Sequence, residues 1–354
     1  MATRIKNAFI CNRLPQYHID SEAIHYCVPQ IGDVGLFRVE SALNQYLKDP
    51  LGGSHYLFDG DLITAAFGNR YATNQYEGYI PESPQLYLDL IARGGVVGLI
   101  KSANATFNRP IVKLKLEGFL RDESGSIVNT IQYGELLPFK PNAIKTKVLL
   151  SVGTSMDSGK TTTAANACAG LKKKGFSAAY IKLTGTAFPK DVRYVYDRGA
   201  DMACDFSDLG FPSTYLLDLP LILSIYQTLI DRVVKQSSPD YIIVEIADGI
   251  LQRETHMLLS HPSFMQTVHG VILSCGDSLG TLTSIRLLEQ LKIHPLAVSG
   301  LFTASDLLIR EVRQQIEVPI LNAEQLLSGE LLQELNKISH SSDSSYPDFL
   351  QERA

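Results

Sequence analysis

Between Lys147 and Gly175 the chain reads "KVLLSVGTSMDSGKTTTAANACAGLKKKG": an apolar strand-like segment, a loop bounded by Gly153 and Gly159, and an alanine-rich helix. Few folds accept that order. The strand has no polar face and so belongs inside a sheet covered by helices, and the helix must begin where the loop turns its backbone N–H groups. Gly159, Lys160 and Thr161 then supply a close backbone approach, a cation and a hydroxyl at the helix N-terminus, which together suit a phosphate group. In the familiar phosphate-loop pattern a glycine stands where this chain has Thr154, whereas Gly153 comes one residue earlier.

The alternation continues downstream through "SAAYIKL", "DYIIVEIA", "GVILSC", "TLTSIRLLEQLKI", "LAVSGLF", "DLLIREVRQQI" and "VPIL". Strands alternating with helices predict βαβ units and a mostly parallel sheet. Before about residue 140 the pattern differs. Segments Gly32–Glu40, Asp61–Gly68, Gly94–Ser102, Ile111–Leu120 and Ser126–Tyr133 read as short strands separated by turns, and Ser83–Gly94 reads as one helix capped by Gly94. Val112, Leu114 and Leu116 alternate with Lys113, Lys115 and Glu117, the period of a half-buried strand. The expected fold is therefore an α/β P-loop NTPase domain with a mostly parallel sheet, residues 143–339. A smaller β-rich domain, barrel- or sandwich-like, precedes it over residues 1–142, and a polar tail follows over residues 340–354.

A net charge of −5 over 354 residues argues against a nucleic-acid surface, and no apolar run is long enough for a membrane span. The first residues lack the apolar core of a secretory leader, so the expected location is cytoplasmic. Five cysteines without a CxxC pair read as small buried apolar residues rather than zinc ligands or disulfides. His256 and His261 are five apart, not the spacing of a zinc helix, and read as structural.

Gly153, Thr154, Gly159, Lys160 and Thr161 coincide with the loop of the dethiobiotin synthetase-like group, which resembles the cobyrinic acid amidases and, more distantly, the ParA/MinD ATPases. Ser155 and Met156 depart from it, and Ser155 stands where ParA/MinD proteins carry a signature lysine. Lys182, Thr184 and Gly185 match the order after the second strand of the synthetase. Glu245 matches its magnesium-holding glutamate, with Ile246 and Asp248 in place of glycines, and Val271–Phe302 resembles the segment that follows. The resemblance covers about residues 147–322. It implies ATP as substrate, Mg2+ as cofactor, a homodimer, and activation of a small carboxylate or carbamate by phosphoryl transfer.

The candidate nucleotide loop is Gly153, Thr154, Ser155, Met156, Asp157, Ser158, Gly159, Lys160, Thr161 and Thr162, with Thr161 and Glu245 as the magnesium pair. Glu245 follows four apolar residues, which places it at the carboxyl end of a buried strand where open α/β sheets bind ligands. Lys160, Lys182, Asp157 and Asp248 are the catalytic candidates. Lys182 is either a substrate contact or a solvated strand end, and Asp157 and Asp248 either approach the reacting groups or stabilise turns. Asp191, Arg193, Asp197 and Arg198 read equally as an exposed helix face. "GNRYATNQYEGYIP", residues 68–81, is a conspicuous aromatic segment that reads as a candidate binding loop without assignable chemistry. The Asn336–Lys337 pair lacks the aspartate of a guanine-reading motif, which favours ATP, with the base near Thr303–Asp306 or Val318–Gln325. Two other functions fit the same residues: a nucleotide-dependent switch acting on a macromolecule through the β-rich domain, and an acyltransferase whose loop holds a phosphate-bearing ligand such as coenzyme A.

Overall fold

The computed structural model describes residues 4–133 and 135–341; of the expected tail 340–354, His340 and Ser341 end the last helix and the rest lies outside the described residues. The first ten strands are β1 (Ile5–Asn7), β2 (His18–Asp20), β3 (Val34–Ser41), β4 (Tyr46–Lys48), β5 (Ser54–Tyr56), β6 (Leu62–Phe67), β7 (Tyr76–Tyr79), β8 (Tyr87–Ala92), β9 (Val96–Ala103) and β10 (Lys113–Arg121). β6, β3, β10, β8 and β9 pair in that order, and a parallel pairing of β6 with β9 (Ala66 with Val96, Phe67 with Val97) returns the sheet to its start. The result is a closed barrel, which removes the unpaired edges that an open sheet of these short strands would leave. Register shifts in the β10–β3 and β8–β9 ladders supply the curl. Phe37, Phe67 and Phe119 fill its interior, with ring centroids 5.6 and 5.7 Å apart.

Two expectations fail here. Residues 83–94 contain strand β8 (Tyr87–Ala92), not a helix: from Leu88 to Ala92 the strand is buried on both faces, so its apolar run fits either period, and the ladders from β9 and β10 decide it. Gly94 and Gly95 make the β8–β9 turn instead of a helix cap, with Gly95 at φ 96°. Residues 126–133 contribute only bridges at Ile127 and Asn129 and a 3-10 turn, Thr130–Tyr133. Asn129 bonds Asp33 Oδ1 (2.9 Å), the Ile31 carbonyl (3.0 Å) and the Ile131 N–H (2.9 Å), and such side-chain bonds compete with a ladder.

From Lys147 the chain builds the parallel sheet of strands β11 (Lys147–Gly153), β12 (Ala178–Lys182), β13 (Met202–Asp205), β14 (Tyr241–Glu245), β15 (Val268–Ser274) and β16 (Ala297–Ser299), in the order β13-β12-β14-β11-β15-β16. The helices are α1 (Lys160–Lys173), α2 (Lys190–Arg198), α3 (Leu219–Ser237), α4 (Arg253–Leu259), α5 (Pro262–Met265), α6 (Ser278–Gln290), α7 (Asp306–Arg313), α8 (Ala323–Ser328) and α9 (Leu331–Ser341). Alternate strand residues divide between two cores. Leu149, Tyr180 and Ile243 pack with Ala164, Ala167 and Cys168 of α1, while Leu150, Ile181 and Val244 join Ile225 and Leu229 of α3 in a cluster that runs on into the barrel. Each such aliphatic burial contributes about 1.5–3 kcal/mol, so both faces of the sheet are needed to hold the strands at the centre. The architecture is thus a mostly parallel α/β unit of P-loop type preceded by a small β-barrel.

The seam between barrel and sheet is close-packed. A Cβ at Gly94 would lie 1.9 Å from the Ala187 carbonyl oxygen, a backbone atom that cannot swing aside. Gly94→Ala is expected to destabilise the protein by about 1–3 kcal/mol in urea denaturation. Gly276→Ala, where a Cβ meets nothing within 4 Å, is the control and should stay within about 0.5 kcal/mol of the parent.

Candidate functional site

β11 ends at Gly153, and the loop that follows turns into α1 through two residues in the left-handed region, Asp157 at φ 62° and Gly159 at φ 101°. Gly159 is needed twice over, because a Cβ there would also come within 3.1 Å of the Gly300 Cα. Lys160 opens α1, is buried, and donates from Nζ to the Ser155 carbonyl at 2.8 Å, so the lysine folds back over the loop. Burial lowers its pKa, opposed by the Glu245 and Asp248 carboxylates. Ser158 Oγ, also in the loop, is the one buried side-chain N or O atom without a hydrogen-bond partner among the described residues.

β14 lies between β11 and β12, so Glu245 at its end is level with Ser151 on one side and Lys182 on the other. The Thr161 hydroxyl donates to Glu245 Oε1 (3.1 Å) and the Tyr180 hydroxyl to Oε2 (2.8 Å). Both carboxylate oxygens are therefore oriented within a buried setting. That burial raises the Glu245 pKa, while the Lys182 ammonium works against the rise. Lys182 itself is ion-paired with Asp191 from α2; burial disfavours its charge, but Asp191 and Glu245 outweigh burial and hold its pKa above the ordinary value. Asp248, at φ 62° in the turn after β14, is pushed up by burial and pulled down by Lys160, Lys182 and Arg70. Asp157 is exposed and accepts from Asn74 Nδ2 of the barrel at 3.0 Å.

These groups open on a cleft of about 930 Å³ between the sheet's carboxyl edge and the barrel. Met156, Asp157, Gly159, Lys160, Thr161 and Thr162 of the loop line it, as do Lys182, Asp191, Glu245 and Asp248, whereas Gly153, Thr154, Ser155 and Ser158 do not. Of the charged residues on α2, Lys190 and Asp191 reach the cleft; Arg198 instead donates to Asn166 on α1 (3.0 Å). Gly300–Ala304 abuts the loop, with the Leu301 N–H on the Ser158 carbonyl (3.1 Å) and Leu301 in the cleft wall; none of residues 318–325 lines it. His261 accepts the Phe264 N–H (3.2 Å) and caps α5. Cys11, Cys168, Cys204 and Cys275 are buried, but Cys27 is only half-buried.

Tyr180, Asn74, Arg70 and Arg93 were not legible as site residues. Tyr180 had a signal, since it stands two residues before Lys182 on one strand and so shares its face. Arg70 and Asn74 lie within the aromatic segment 68–81, a signal without assigned chemistry, whereas Arg93 had none, because only the tertiary contact brings it to the cleft.

The donor set fits Mg2+. That ion keeps several waters and takes one or two protein oxygens beside substrate phosphates, and the Thr161 hydroxyl and Glu245 carboxylate provide such a pair next to Lys160. Among the described residues no cluster of three or more His, Cys, Asp or Glu forms an all-protein cage. No helix is long and apolar enough to cross a membrane among them.

No protein-family model matches the sequence, and no curated protein does. Among solved structures the chain is similar to the signal recognition particle receptor FtsY from Elizabethkingia anophelis, at 18% identity and TM-score 0.36 over 54% of this chain and 65% of that one. A duf1611 family protein from Anabaena variabilis matches at 14% identity and TM-score 0.40 over 58% and 62%. HypB from Helicobacter pylori in complex with nickel matches at 16% and 0.37 over 60% and 94%. The chain thus spans just under two thirds of the length of the first two. Likeness this slight carries no argument, and the P-loop fold rests on the loop, the sheet order and the strand-end acid described above.

Removing the Tyr180 hydroxyl leaves a buried Glu245 oxygen one partner short. Tyr180→Phe should cost about 1–3 kcal/mol at pH 8. The bond stabilises the ionised form, so the folded-state pKa of Glu245 is lower with it than without it. Stability lost in the variant is therefore largest at high pH and shrinks as pH falls and Glu245 takes up a proton, a trend that urea denaturation at pH 8 and pH 5 would reveal.

Proposed function

We propose that the cleft binds magnesium-ATP and transfers its γ-phosphoryl group to a small carboxylate or carbamate. The observation that carries this reading is the meeting of Lys160, Thr161 and Glu245 at the N-terminus of α1, with Lys182 and Asp248 beside Glu245 in the lining of the same cleft. Met156, Asp157 and residues 159–162 of the loop cradle the phosphates, Lys160 leaves the Ser155 carbonyl to meet the outer phosphates, and Thr161 and Glu245 would hold the ion. Magnesium, when bound, supplies charge neutralisation between the phosphate oxygens.

Lys182 is kept charged by Asp191 and Glu245 and faces the transferring group, where it offsets developing negative charge. An acceptor carboxylate oxygen forms the new O–P bond while the bridging β–γ P–O bond breaks and ADP departs with that electron pair, leaving an acyl phosphate. A carboxylate needs no base to attack, so Asp248 serves to position the acceptor. In this reading residues 143–339 form the nucleotide-handling domain and residues 1–142 a second domain that closes the cleft. A switch acting through the barrel has one supporting observation, the Asn74–Asp157 bond that ties barrel to loop.

Calorimetric titration with MgATP should show binding by the parent chain and about 10- to 100-fold weaker binding by Lys160→Ala, the loss expected for charge-assisted phosphate contacts. ADP release should rise with a small carboxylic acid. Absence of MgATP binding by the parent would sink the reading, and turnover raised only by a macromolecule would replace it with the switch.

A further inference from the structure

Among the described residues the barrel wall of the cleft carries Arg70, Arg93 and Arg109 and no acidic residue. Four cations elsewhere on the barrel are neutralised, Lys6 by Asp61, Arg38 by Glu117, Lys113 by Asp89 and Arg121 by Asp20, while Lys48 is held by the Gly52 carbonyl, the Ser54 hydroxyl and the Tyr46 ring. Among the described residues Arg70 and Arg93 have no carboxylate within ion-pair distance. They are held instead by two Gln-Tyr pairs. Gln75 Oε1 accepts from Arg70 Nη2 (2.7 Å) and the Tyr76 ring lies 4.6 Å from its guanidinium carbon, while Gln45 Oε1 accepts from Arg93 Nη2 and the Tyr46 ring lies 4.3 Å from its guanidinium carbon. Arg70 Nη1 further bonds the Ile91 carbonyl and the Tyr76 hydroxyl (2.9 Å).

Amide oxygens and aromatic faces orient a guanidinium without cancelling its charge. Both arginines retain N–H donors beyond these bonds, and a guanidinium presents them as a fork suited to a planar oxyanion. The two cations also repel: burial lowers the Arg70 pKa and the Arg93 charge adds to that effect, with Asp248 the carboxylate that opposes it. An anion placed between them removes the repulsion, whereas a neutral ligand leaves it in place.

We infer that the two Gln-Tyr-clamped arginines bind the second anionic group of the acceptor, which is therefore a small dicarboxylate with one carboxylate at Lys182 and the other at Arg70 and Arg93. This rests on the proposed function of the cleft and gives it a substrate class. Both carboxylates engage at once only if the carbon chain spans the cleft, so affinity depends on chain length as well as charge.

The test is thermal-shift titration of the full chain, without nucleotide, with malonate, succinate and glutarate. Acetate at matched ionic strength and inorganic phosphate serve as comparison ions. At least one dicarboxylate should raise the midpoint at concentrations where acetate does not. Arg93→Gln should weaken that response about 10- to 100-fold. Arg93 is the informative position, since replacing the more enclosed Arg70 can unfold the barrel. The inference is overturned if no dicarboxylate stabilises the parent chain, or if Arg93→Gln responds as the parent does. It is equally overturned if the only response is to phosphate and Lys160→Ala abolishes it, which would assign the anion to the loop. Because nucleotide is absent, failure here leaves the MgATP titration untouched, and failure of that titration leaves this result standing.

Discussion

The hydrogen bond from Thr161 to Glu245 ties the first turn of α1 to the end of a strand more than eighty residues later in the chain, and the geometry of the cleft follows from it. It exists because β14 enters the sheet between β11 and β12 rather than at an edge. The chain leaves β11, crosses to β12 and β13, and returns to fill the gap beside β11. That crossing sets Ser151, Glu245 and Lys182 level along the carboxyl edge, where the loop also opens. The acid and Lys182 are thus positioned by backbone register, and Lys160 and Thr161 by the first turn of α1.

Burial makes the arrangement electrostatically demanding. Glu245, Lys160, Lys182 and Asp191 all lose hydration, and each is acceptable only because the others are present. Lys182 and Asp191 satisfy one another, Glu245 gains Tyr180 and Thr161, and Lys160 rests on the Ser155 carbonyl. A loop lysine resting on a neutral carbonyl loses little when an anion draws it away, whereas one locked to a carboxylate would first have to break that pair. The barrel wall follows a related logic, with its arginines oriented by neutral groups and their charge left uncancelled.

The barrel does more than cover the sheet. It closes through β6 and β9, and the segment between β6 and β7 carries Arg70 and Asn74 to the phosphate loop. The aromatic stretch 68–81 is one of the segments that join the two sheets: Tyr71 and Tyr79 both pack on Tyr215 beyond β13, with ring centroids 5.3 and 6.0 Å away. An aromatic cluster at such a seam excludes water from the contact and fixes the width of the cleft.

Strand–helix alternation, the Gly-Lys-Thr turn and the acid after four apolar residues were legible in the sequence because each is a local pattern: period, composition and spacing are properties of consecutive residues. The same locality explains the failures. "YLDLIA" carries no period that separates a helix from a twice-buried strand, and neighbouring strands decided it. α3 was missed although Asp218 and Pro220 mark its start, since its apolar residues look like any buried run. By itself the sequence determined a parallel α/β unit with a phosphate loop and a β-rich partner. Only the tertiary structure decided that Tyr180 orients Glu245, that Lys182 is paired with Asp191, and that two arginines of the barrel face the loop, because those facts depend on register and closure between segments that sequence order keeps apart.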